Sequence, residues 1–190
     1  MKKAFPLALI LFGMILLAGG GYTLSRGFDA RSDIKAELVA QNITTPEDAS
    51  MPNVRVDSAA TAKSMADIIN THALESSGGA TYSEMGRFMS KDGAPEGTSN
   101  AADAVTGADG KPVANALRNT AFQASSLRTS LYTSVMAFEI GNLVIGLGLM
   151  ILVLGFAVGG LGVALGGLVI PALARKVHVD PVAAEFHPVA

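Results

Sequence analysis

The chain contains no cysteine, which excludes disulfides, thiol catalysis, iron–sulfur clusters and lipoprotein acylation. It has only three histidines, His72, His178 and His187, which lie in different settings, and none forms a convincing metal-ligand cluster with its sequence neighbours. Walker loops, dinucleotide fingerprints and G-x-S-x-G elbows are absent. Charge is scarce too: 16% of the 190 residues are Asp, Glu, Lys or Arg, and the net charge is −2. Such a balance offers a polyanion little to bind, so nucleic acid is not an expected partner. These absences predict a non-enzymatic protein that uses no cofactor or metal.

What the chain has in abundance is apolar sequence, 49% of residues together with 21 glycines, and it is concentrated at the two ends. Residues 4–22 (AFPLALILFGMILLAGGGY) are uncharged and follow Lys2 and Lys3. A cleaved signal peptide would share this pattern, since 7–17 has the length of its apolar core and Ala18, Gly19 and Gly20 suit a peptidase. At ~1.5 Å rise per residue, however, the run approaches the ~30 Å of a bilayer core, and a transmembrane helix is the expectation. The second uncharged run covers 140–174 and ends at Arg175 and Lys176. It is too long for one upright span and too short for two with a turn, which predicts one tilted helix at 139–174. Gly159-Gly160 or Gly166-Gly167 are candidate breaks and Pro171 a candidate end.

The basic pairs at both outer ends satisfy the positive-inside rule for a hairpin whose termini (1–3 and the tail 175–190) are cytoplasmic, with 23–138 extracytoplasmic, in the plasma membrane. The expected fold is therefore all-α: a transmembrane hairpin with long external extensions and a small external helical bundle. Membrane lipid is the first expected partner.

Glycines 141, 148, 155 and 162 recur every seven residues, and Gly159 and Gly166 follow the last two by four. The plainer reading is that glycine is common in membrane helices. A bare backbone face also lets a second helix approach closely, so these six residues are the candidate packing interface. The register continues backward through Ser134, Leu127, Thr120 and Val113, with Leu117, Ala124, Leu131, Phe138, Ile145 and Leu152 as a companion row. One long helix starting near residue 113 is the consequence. Its partner is a larger integral membrane complex, a homo-oligomer or the chain's own first helix.

Between the spans, Leu24, Phe28, Ile34 and Leu38 keep near-helical spacing, although Gly27 weakens the pattern. Thr44-Thr45-Pro46-Glu47-Asp48 has the form of a short helix start. Residues 58–77 predict an amphipathic helix with Ala62, Met65, Ala66, Ile69, Ala73 and Leu74 on one face and Gly78-Gly79 as its stop. Thr81-Tyr82-Ser83-Glu84 has capping-box spacing for another short helix. The stretch 90–112, rich in Gly, Ala, Ser and Asp, is expected to be a mobile loop.

Glu139 is the one acid bordering the second uncharged run. A carboxylate at membrane depth is a functional candidate, though at the interface a wetted residue is the simpler account. His72 and Glu75, three apart, could be read as half a metal site or as a solvated helix face. Ser125, Ser126, Ser130 and Ser134 have no nearby His to activate them and are expected to pack or bond across helices. Arg118 and Arg128 are expected to pair with acids of the first stalk. Asn42-Ile43-Thr44 matches a glycosylation acceptor, a pattern short enough to occur by chance.

Four blocks carry a family resemblance: Ile43-Thr44-Thr45-Pro46-Glu47-Asp48-Ala49; Ala66-Asp67-Ile68-Ile69 with His72-Ala73-Leu74-Glu75; Gly78-Gly79-Ala80-Thr81-Tyr82; and Arg118-Asn119-Thr120-Ala121 through the run from Ser126 to Phe138. Together they resemble a family of small actinobacterial membrane proteins often labelled "aromatic ring-opening dioxygenase". Extradiol ring cleavage needs iron held by two His and a carboxylate, and no such set can be assembled from this sequence, so the label does not suit the chain. The 90–112 loop and the sequence after Pro171 depart from shorter relatives. The architecture is similar to that of accessory subunits of actinobacterial respiratory (cytochrome bcc–oxidase) supercomplexes. A non-enzymatic accessory or scaffold subunit is the function this implies; an extracytoplasmic sensor or ligand-binding module is the alternative.

Overall fold

A computed structural model describes residues 4–177, with side chains through 167. Lys2, Lys3 and the tail 178–190, with His178 and His187, lie outside the described residues, as do the side chains of Arg175 and Lys176. The described residues form three α-helices, α1 (Ala4–Ala40), α2 (Ala59–Ser76) and α3 (Ala116–Val177), with a 3₁₀ turn at Ala101–Asp103 and isolated bridges but no strand. The fold is all-helical. Helices α1 and α3 are both long and apolar enough to cross a membrane.

The chain divides into two compact units. The first joins the start of α1, to Phe28, with α3 from Leu143 onward. Here the two helices run antiparallel, because contacts pair Pro6 and Ile10 with Gly162, Leu17 with Gly155, and Gly20 and Leu24 with Gly148. Neither glycine pair at 159–160 or 166–167 breaks α3, and the helix passes through Pro171 to Val177. Proline removes a single N–H from the ladder, a loss that an apolar helix tolerates.

The second unit is Asp29–Asn142. Helix α1 enters it without a break, Gly27 included, and ends at Ala40. Asn42 takes the left-handed conformation (φ 52°) that follows many helix C-termini, and Arg55 Nη2 donates to the Val39 carbonyl at 2.9 Å. The next segment departs from expectation. The Thr44–Asp48 motif makes one turn rather than a helix, because its backbone pairs elsewhere: Thr45 N–H donates to Val54 O and Val56 N–H to Ile43 O, each at 2.9 Å. The buried Thr45 hydroxyl accepts from Val54 N–H and donates to Met51 O, knotting the loop.

Helix α2 starts where Ser58 caps it, the Ser58 Oγ accepting from Thr61 N–H and the Thr61 hydroxyl accepting from Ser58 N–H. It stops at Gly78 and Gly79, both at positive φ. The Thr81–Glu84 motif does form its capping bond, Thr81 N–H to Glu84 Oε2 at 2.8 Å, but closes only a turn. The backbone of Gly86, Phe88 and Met89 is instead committed to Glu96, Thr98 and Val113.

The stretch 90–112, expected to be mobile, is tied down by that same pairing. Phe88 and Thr98 exchange two bonds at 2.9 Å, Val105 N–H donates to Met89 O at 2.8 Å and Val113 N–H to Val105 O at 2.9 Å. Small residues permit it: Gly97 has φ +72°, and a Cβ there would lie 2.4 Å from Phe88 O. Asn115 then caps α3, its Oδ1 accepting from Leu117 N–H at 3.1 Å, so the helix begins at Ala116 rather than near 113.

The core of this unit gathers Leu38 from α1, Val56 from the loop, Ala62 and Ala66 from α2, and Leu131 and Phe138 from α3, flanked by Ile34, Met65 and Ile69. Ile34 and Leu38, the Ala62–Ile69 part of the α2 face, and Leu131 and Phe138 of the companion row thus meet in one place.

Candidate functional site: the glycine seam and the clefts of the helical module

Along α3, Gly148, Gly155 and Gly162 are buried while Leu147, Leu149, Leu154, Phe156, Leu161 and Val163 are exposed. What faces these glycines is α1. A Cβ at Gly148 would stand 2.6 Å from Leu24 N, one at Gly155 2.9 Å from Leu17 N, and one at Gly162 2.9 Å from Ile10 N. Real Cβ atoms do not approach backbone so closely, so the three positions admit only glycine at this separation. Gly159 and Gly166 have more room: a Cβ there would stand 3.8 Å from Gly13 Cα and from Pro6 Cβ respectively. Gly141, at the end of the second unit, is buried too. The seam therefore has an occupant within the chain.

Sequence reasoning missed the other half of this contact. Pro6, Gly13, Gly20 and Gly27 also recur every seven residues on α1, and all four are buried. A Cβ on Gly20 would stand 2.8 Å from Leu152 N. The signal was present in the heptad spacing of these four residues. In hydrocarbon, side-chain burial contributes little to helix association, and close backbone approach of this kind supplies dispersion contacts instead.

Glu139 is exposed between buried Phe138 and exposed Ile140, and its Oε2 accepts only from Asn142 Nδ2 at 3.4 Å. His72 meets Asp48 of the preceding loop, Nε2 to Oδ2 at 2.6 Å. This hydrogen bond holds the Asp48 carboxyl below its usual range. Among the described residues no three His, Asp or Glu side chains converge as a metal site.

Two expectations are corrected. Ser126, Ser130 and Ser134 do not bond across helices: each hydroxyl donates to the carbonyl four residues earlier, at 3.0, 3.1 and 3.3 Å, as short hydroxyls on a helix readily do. Nor do the arginines meet acids of α1. Arg118 donates from Nε to Met85 O at 3.1 Å and lies 4.4 Å from the Tyr82 ring centroid. Arg128 lies 5.7 Å from the Tyr132 ring centroid, and its charge acts on Asp67 of α2.

Tyr132 in turn donates its hydroxyl to Asp67 Oδ1 at 2.6 Å, and Lys63 holds the other carboxylate oxygen. Lys63 and Tyr132 together keep Asp67 below the ordinary carboxylate range, with the Arg128 charge adding to the effect. This cluster ties α2 to α3.

A groove of about 540 Å³ opens in this unit. Leu38, Ile43, Met65, Ile69, Leu127 and Leu131 supply its apolar wall, with Glu37, Gln41, Ser130 and Ser134 beside them. Its volume and its mix of apolar wall and few polar groups are those of a small-molecule or peptide site. No protein-family model matches the chain, and no curated protein or solved structure matches it either.

Proposed function

We propose that this chain is a two-span, plasma-membrane accessory or scaffold subunit, non-enzymatic, with both termini cytoplasmic and Asp29–Asn142 presented on the other side. The observation that carries this reading is the inside-out packing of the first unit. Glycines and Pro6 face inward, while Phe5, Phe12, Ile15, Leu143, Met150 and Phe156 are all more than half exposed. The most apolar windows of α1 and α3 are only 17% and 11% buried, far below what the core helix of a water-soluble protein requires. Outward leucine and phenylalanine suit lipid or an apolar partner. The paired basic residues Lys2, Lys3, Arg175 and Lys176 support the orientation.

Because α1 already fills the glycine seam, a host complex would meet the outward faces of the pair and the helical module. The family resemblance points to a respiratory supercomplex of the cytochrome bcc–oxidase type as the host. Native purification of a tagged chain in mild detergent, followed by mass spectrometry, tests the reading. Co-purification of a defined set of integral membrane subunits is the expected result; recovery of the chain alone as a monomer contradicts it.

The groove favours a second reading, a membrane-anchored ligand-binding or sensing module. In that case ligand contact at Met65 and Leu127 would precede any output through the tail, and Leu127→Glu would abolish the response without releasing the chain from the membrane.

A further inference from the structure

A smaller cleft, about 290 Å³, opens beside the start of α3, lined by Tyr82, Arg87, Asn115, Arg118, Asn119 and Phe122. Two arginines and no acid line it. Arg118 is fixed in place, with Nε bonded to Met85 O and the guanidinium stacked on Tyr82. The Tyr82 ring packs in turn at 5.4 Å from that of Phe122. The Arg87 guanidinium lies over the Phe88 ring, 5.5 Å from its centroid. Among the described residues neither arginine has a carboxylate within ion-pair distance. Asn115 offers nothing to them, since its amide donates to Pro95 O and Glu96 O and its oxygen caps α3.

A guanidinium carries five donors, and here most of them lack a protein acceptor. Two arginines on one cleft, with no acid among its lining, leave its positive charge without a local counter-charge. An oxyanion between them supplies the missing acceptors and the missing charge, in the bidentate geometry arginine favours. The rings of Tyr82 and Phe122, tilted 53° to each other, add apolar surface beside it. We propose that this cleft binds a small organic anion, a carboxylate or phosphate carried on a flat apolar body. The site lies wholly within Asp29–Asn142 and stands independently of the reading as an accessory subunit.

Isothermal titration of the full-length protein in nonionic detergent, with benzoate, phenyl phosphate and the neutral analogue benzamide, tests this. The expected result is saturable one-to-one binding of benzoate or phenyl phosphate, weakened by added NaCl, with no binding of benzamide. Arg87→Gln removes only an exposed side chain, so the thermal unfolding midpoint should hold while affinity falls about tenfold or more. Arg118→Lys keeps the charge but loses the fork and should also weaken binding; if that variant fails to fold, the Arg87→Gln result decides. Binding of benzamide equal to that of the anions, failure of both anions to saturate, or unchanged affinity in Arg87→Gln would each overturn the proposal.

Discussion

Gly13 and Gly159 meet backbone to backbone, and the relationship is asymmetric. A Cβ on Gly13 would lie 2.6 Å from the Gly159 Cα, whereas a Cβ on Gly159 would lie 3.8 Å from the Gly13 Cα. The two glycines of one contact thus differ in what they tolerate, because a Cα–Cβ bond on one helix points at its neighbour and on the other points past it.

Gly13→Ala should accordingly destabilise the helix pair by about 1–3 kcal/mol, the range for overpacking a close contact, while Gly159→Ala should cost far less. Gly160, with nothing within 4 Å, is the control: Gly160→Ala should be neutral or stabilising, since alanine is the better helix former. Reversible unfolding of the three variants in mixed micelles checks the order.

Tyr132→Phe removes the hydroxyl that bonds Asp67 and leaves the ring in place. The loss should be about 0.5–1.5 kcal/mol, read as a lower midpoint in denaturant unfolding of the full chain. Asp67 keeps Lys63 as a partner, which limits the effect.

Acid should weaken the same module. The carboxyl of Asp67, ordinarily titrating at 3.8, is lowered in the folded chain by Lys63 and Tyr132. The folded state therefore holds the proton less readily than the unfolded one, so this stabilisation is full above the ordinary value and is lost as pH falls through the lower, folded one. Asp48, lowered by His72, acts in the same direction. The unfolding midpoint should drop below about pH 4, and Asp67→Asn should flatten part of that acid limb. An acid limb unchanged in Asp67→Asn would assign the dependence to other groups.

Thr45→Val preserves shape but leaves the Val54 N–H without its hydroxyl acceptor in a site that is 1% exposed. A cost of about 1–3 kcal/mol is expected for that buried unpaired group, measurable by thermal unfolding alongside Thr45→Ser, which should retain most of the stability.

How far the sequence could be read differs by scale of interaction. Heptad spacing exposed the seam on α3, and period and capping exposed α2, because each depends on residues near one another along a single helix. The Thr44–Asp48 and Thr81–Glu84 motifs misled for the opposite reason. Their local helix signals are real, yet Thr45, Gly86 and Phe88 find backbone partners about ten residues away, and such long-range pairing carries no local signature. The same bonds order 90–112, whose composition alone reads as loop. The two arginines of the small cleft were visible as residues, but Arg87 and Arg118 come together only through the fold.

The most direct test of the central claim, a two-span anchor with both ends cytoplasmic, exploits the absence of native cysteine. Single-cysteine variants Ala108→Cys and Lys3→Cys are treated with a membrane-impermeant maleimide in intact and permeabilised cells. Ala108→Cys, exposed in the helical module, should be labelled in intact cells, and Lys3→Cys only after permeabilisation. Labelling of Lys3→Cys in intact cells, its absence from the mature chain, or protection of Ala108→Cys until the membrane is opened would contradict it.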